Sequence, residues 1–168
     1  MVITTTGVAF TLSALGLAVC GFWFFSAFQK IGGLRSGSRI GILLSLLFLG
    51  TAFQHGILAA GSWFFVNNPE ALYATLVINN FVLAIITTLG VYLALYILLP
   101  NFSPWPGTIT AFLYGIFVTS LTIVNHPQPF VLNNAIDWGM RYQTRISLYL
   151  LLLFNIGAPF LIFAKNFF

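Results

Sequence analysis

His55 is the one histidine that falls inside a long apolar run of this sequence, and Gln54 stands directly before it. Cysteine and tyrosine aside, no other ionisable side chain lies within such a run. A neutral imidazole held in hydrocarbon has three uses. It can hydrogen-bond a neighbouring helix, ligate a haem or chlorophyll axially, or handle a proton or substrate. All three readings stay open on the residues alone. Thr51 and Ser62 share its helix face at spacings of four and seven, with Gly50, Gln54 and Gly61 on the adjoining face. Asn80 and Thr87, in the next apolar run, are the expected partners of His55, and Asn155 stands in the middle of the last run. His55, Gln54, Thr51, Asn80, Thr87 and Asn155 are therefore the candidate ligand or hydrogen-bond network.

Metal and catalytic readings meet definite limits. His126 is the only other histidine, and it falls at the end of an apolar run. His55 precedes Val66 by 11 residues, which is about 16 Å at the helical rise. One haem bridging the two imidazoles is not expected, so a haem or chlorophyll would rest on His55 as a lone ligand. The only acids, Glu70 and Asp137, lie in connections, and no apolar run holds a lysine or arginine. A serine–histidine–acid set cannot be assembled from these positions, and no enzyme is expected. A proton-coupled transporter normally uses buried acids or bases. A channel or transporter component stays open as a lesser reading, because backbone carbonyls alone can line a filter.

The elements that carry these residues follow from composition. Of 168 residues, 60% are hydrophobic, 17% aromatic and 5% charged, against about 25% charged in a soluble domain. Apolar stretches of this length predict transmembrane helices, and an all-α bundle satisfies every backbone group internally. The expected spans are 8–28, 40–66, 71–99, 107–124 and 146–164, in one helical domain over 1–168. The six basic residues are too few and too scattered to contact nucleic acid. The single Cys20 excludes an internal disulfide or a cysteine metal site. Val8 to Phe28 is expected to persist as a helix, because no basic residue precedes it and no small-x-small cleavage site succeeds it.

Lys30, Arg35 and Arg39 cluster in the first connection, and the positive-inside rule assigns that connection to the cytoplasm. The N-terminus is then outside and the C-terminus, with Lys165, cytoplasmic. Basic residues number four inside (Lys30, Arg35, Arg39, Lys165) and two outside (Arg141, Arg145). Pro159 removes the amide that would bond the Asn155 carbonyl, which predicts a kink in the last span. The outer connection 125–145 is the only long polar segment. Its candidate contact residues are His126, Asp137, Trp138 and Arg141. A short interfacial helix is expected there, with Asp137 and Arg141 paired at i,i+4 and Trp138 and Tyr142 at the membrane surface. Small-residue stripes at Ala52–Gly56–Ala60, Ala111–Gly115–Thr119 and Ser13–Gly16–Cys20 predict close packing of spans one, two and four, together or against partners.

These observations point to a non-catalytic integral membrane subunit of a larger complex, touching partners, lipids or pigments through its helices. The alternative is a membrane sensor or input domain that binds a small ligand through its outer loop or bundle core. The lipid bilayer and other membrane subunits are the expected partners, in an inner membrane of bacterial, archaeal or organellar type. The sequence closes three residues after Lys165, so no soluble output domain is expected.

Overall fold

Capping chemistry sets the helix boundaries in the structure, a computed structural model that describes residues 4–30 and 36–167, with side chains for 4–30, 40–155 and 157. The Thr4 hydroxyl accepts the Gly7 amide at 3.0 Å and opens α1, Thr5–Lys30. Helix α2 runs Ser36–Phe64. Asn68 caps α3, Pro69–Leu98, by accepting the Ala71 amide at 3.1 Å, and Pro69 supplies the fixed φ of its first position. Helix α4, Trp105–Asn125, starts after Pro104 and ends where His126 turns left-handed (φ 39°) ahead of Pro127. Strands β1, Phe130–Leu132, and β2, Ala135–Asp137, form an antiparallel hairpin, and α5, Tyr142–Phe167, completes the chain. Each of the five expected spans lies mostly or wholly within one of these helices. Helices α1, α3, α4 and the Ile40–Phe64 part of α2 are long and apolar enough to cross a membrane, which is compatible with an integral membrane protein.

Helix α3 lies at the centre. It packs on α2, α4 and α5, whereas α1 packs along α2 and touches β2. Leu83 of α3, Val118 of α4, and Leu148 and Leu151 of α5 form one buried cluster. Hydroxyls within the helices turn back on their own backbone. Thr51, Thr75, Thr88, Thr119 and Ser45 each donate to the carbonyl four residues earlier at 2.7–2.9 Å. The outward face of α1 is apolar and open, with Leu12, Leu15, Val19, Phe22 and Trp23 each 60–70% exposed. A patch of this kind is typical of a surface facing lipid or a partner.

Three expectations are corrected. Segment 125–145 holds no interfacial helix. Asn133 and Asn134, both at positive φ (49° and 60°), close the two-residue turn of the hairpin. Asp137 ends β2 and Arg141 comes after an irregular stretch, so the two are not an i,i+4 pair. Second, α4 packs on α3 and α5 rather than with α1 and α2. Third, the stripes differ in use. Gly115 sits so close to Ala84 that an added Cβ would collide with it, backbone included, whereas Gly16 and Gly56 have no neighbour near theirs. Ser13, Cys20 and Ala60 are exposed. On α1 and α2 the close approaches run instead through Gly21 against Leu49 and Gly41 against Phe28. Helix α5 is continuous through 159, and the side chains of Pro159, where the kink is expected, and of Lys165 lie outside the described side chains.

These contacts separate two glycine substitutions. Gly115→Ala should lower the stability of the detergent-solubilised bundle by about 1–3 kcal/mol through overpacking. Gly56→Ala should leave it unchanged or raise it by up to ~1 kcal/mol, since alanine is the better helix former. Thermal denaturation monitored by circular dichroism checks both.

Candidate functional site

The hairpin end of the bundle carries a cavity of about 290 Å³. Phe10 of α1 forms one wall, Gln54, His55 and Leu58 of α2 the next, and Leu76, Asn79 and Leu83 of α3 the third. Leu148, Tyr149 and Leu152 of α5 close the far side, and Trp138 and Met140 lie over it from the segment after β2. The hairpin that positions Trp138 is itself anchored. The Asn134 carbonyl accepts from the Thr5 amide (2.8 Å) and hydroxyl (3.0 Å), and the Ile136 amide donates to the Thr6 hydroxyl at 2.9 Å. Asp137 accepts the Gly139 amide at 2.8 Å, shaping the turn between Trp138 and Met140. Gly139 has φ +60° and lies against the Gln128 backbone, so only glycine fits.

His55 bonds neither Asn80 nor Thr87, contrary to the sequence expectation. Its Nδ1 lies 2.9 Å from the Thr51 carbonyl, one turn back on its own helix. A carbonyl only accepts, so Nδ1 carries the proton in this bond. The Phe10 ring sits 5.6 Å from the imidazole. Gln54 and Asn79 are each 3% exposed, and the side-chain oxygen of each is buried with no hydrogen-bond partner. Asn79 holds its orientation through a chain of donors. The Thr122 hydroxyl donates to the Val118 carbonyl (3.0 Å), the Asn80 amide to the Thr122 hydroxyl (2.9 Å), and the Asn79 amide to the Asn80 oxygen (3.4 Å). Flipping Asn79 would set two carbonyl oxygens against each other, so its own oxygen is the open end of the chain.

The other candidates fall around this site or away from it. Thr51 supports the imidazole, and its hydroxyl donates to Leu47. Thr87, its hydroxyl also unpartnered, lines a separate apolar cavity of about 500 Å³ between α3, α4 and α5. Asn155 is buried and lines neither cavity. His126 sits at the end of α4, 3.6 Å from Glu70 and with its ring 4.1 Å from that of Tyr73. Asp137, Trp138 and Arg145 line a shallower pocket of about 350 Å³ beneath the hairpin, which shares Trp138, Met140 and Tyr149 with the deeper cavity. Arg141 is exposed. Among the described residues no three of histidine, cysteine, aspartate and glutamate come together. A metal at His55 would have to bring its other ligands with it, as a tetrapyrrole does. An enclosed tetrapyrrole does not fit: a cavity of about 150 Å³ holds benzene, and this one is only about twice that size.

Asn79 was visible in the sequence as a polar residue in the third run but had no reason to be set above Asn80. Its role comes from the direction of the hydrogen-bond chain. Comparison of the chain with known protein families, curated proteins and solved structures finds no match.

A buried carbonyl without a partner costs about 1–3 kcal/mol. Gln54→Met, which keeps the length and removes the carbonyl, should therefore raise the thermal midpoint of the ligand-free protein. A lowered midpoint would show that Gln54 has a structural partner.

Proposed function

We propose that this chain is an integral membrane helix bundle that binds a small molecule in the cavity beneath its hairpin, as a sensor or input domain does. One observation carries the reading: two buried, unpartnered carbonyl oxygens, Gln54 Oε1 and Asn79 Oδ1, belong to residues lining a single cavity that also takes in His55. Folding alone gives no reason to keep them, since apolar side chains of similar size would avoid the desolvation cost. A ligand that pairs with them offers such a reason. Native mass spectrometry of the chain extracted from its own membranes should find a retained small molecule. That molecule should be lost in the Gln54→Leu/Asn79→Leu double variant. A chain that carries nothing, or a molecule that survives both substitutions, refutes the reading. The absorption spectrum of the same sample tests the pigment version, in which His55→Leu must release the chromophore.

A second reading, a non-catalytic subunit of a larger membrane assembly, is favoured by α1. Its Ser13–Gly16–Cys20 ridge is exposed with no neighbour over Gly16, the type of surface on which membrane helices associate. Co-migration with a large complex in mild detergent supports this reading, and a lone bundle opposes it.

The proposed topology has five spans, with the hairpin outside and the Lys30–Arg39 connection cytoplasmic, on the distribution of basic residues. With Cys20 replaced by serine, a cysteine at Asn133 should react with a membrane-impermeant maleimide applied to sealed cells. A cysteine at Ser103 should react only after lysis. The opposite pattern inverts the topology.

A further inference from the structure

If the cavity binds a small molecule, as proposed, its own chemical polarity specifies the class of that ligand. Among the residues lining the cavity, the two polar atoms that are both buried and without a partner are acceptors. They are Gln54 Oε1 and Asn79 Oδ1. The Asn79 oxygen cannot be exchanged for its amide without breaking the chain to Asn80 and Thr122. No charged side chain lines the cavity, so a charged ligand would be buried without a counter-ion. The remaining wall is aliphatic and aromatic, with Phe10, Trp138 and Tyr149 offering ring faces and edges.

We propose that the cavity takes a neutral, lipophilic aromatic molecule bearing O–H or N–H donors, of the phenol or indole type, with its donor end toward Gln54 and Asn79. Its size is bounded by the cavity at about twice benzene. Water could also donate to these oxygens, so the test has to separate a filled aromatic site from a hydrated one.

The full chain in lipid nanodiscs is titrated calorimetrically with thymol and with thymol methyl ether, which keeps the ring and removes the donor. Leu152→Trp, which fills the cavity, corrects for partition into lipid, and Leu148→Phe replaces it if that variant does not assemble. Saturable thymol binding at least about tenfold tighter than the ether is expected, from the cost of leaving a buried acceptor unpaired. In Gln54→Leu and Asn79→Leu the preference should fall toward unity while binding of the ether is kept. Equal binding of phenol and ether, lost on filling the cavity, overturns the ligand class but leaves the cavity a binding site. Saturable binding of neither overturns the ligand class as well. The broader proposal then stands or falls on whether the natively extracted chain carries a molecule sensitive to Gln54 and Asn79.

Discussion

Polar atoms in a hydrocarbon surrounding have no water to turn to, so each must find its partner within the bundle. Helix α3 is where that constraint acts most strongly. It is the helix that packs on α2, α4 and α5, and it buries Thr75, Asn79, Asn80 and Thr87 along its length. Thr75 meets the constraint within its own helix. Asn80 meets it by reaching Thr122 of α4, which ties the two helices in register as well as satisfying the amide. Asn79 meets only half of it. The hydroxyls of Ser62 and Thr87 are left unmet as well, but Gln54 and Asn79 are the pair of unmet residues that share one cavity.

That place lies among helices that pack one on the next around it, α1 on α2, α2 on α3 and α3 on α5. Helix α1 leans on α2, and α5 leans on α3 and α4. The space between α1, α2, α3 and α5 is roofed by the segment after β2 rather than filled by side chains. Trp138 and Met140 can lie there because Gly139 passes tightly over the Gln128 backbone with positive φ. The hairpin therefore serves as a positioning device for two side chains.

The helices were legible in the sequence because apolar runs of 18 residues or more leave the backbone one solution in lipid. Asn68–Pro69 and Pro104 to Pro106 marked starts through chemistry that needs no tertiary context. The hairpin was signalled too, by Asn133–Asn134 between Val131–Leu132 and Ala135–Ile136, since asparagine tolerates the positive φ of a two-residue turn. The i,i+4 spacing of Asp137 and Arg141 suggested a helix instead, and a pair of charges is a weaker constraint than a turn. The small-residue stripes were legible as stripes but not as contacts. Spacing says which residues share a face, and only the packing says whether a helix lies against it, as at Gly115 and not at Gly56. The partner of His55 was hidden for a similar reason. A carbonyl one turn back on its own helix is available to almost any buried histidine, and nothing in the side chains of α3 betrays that choice.

The bonds between the hairpin and α1 bear on how the cavity is enclosed. Helix α1 holds α2, α2 holds α3, α3 holds α5, and the chain from α5 returns through Trp138 and the hairpin to the first turn of α1. The wall is thus a closed ring, and its links differ greatly in strength. Three of them are long helix seams. The fourth is three hydrogen bonds, from Thr5 to Asn134 and from Ile136 to Thr6, each worth about 0.5–1.5 kcal/mol net. The ring parts most easily at that clasp, so thermal opening should begin at the first turn of α1 and leave the packed seams intact.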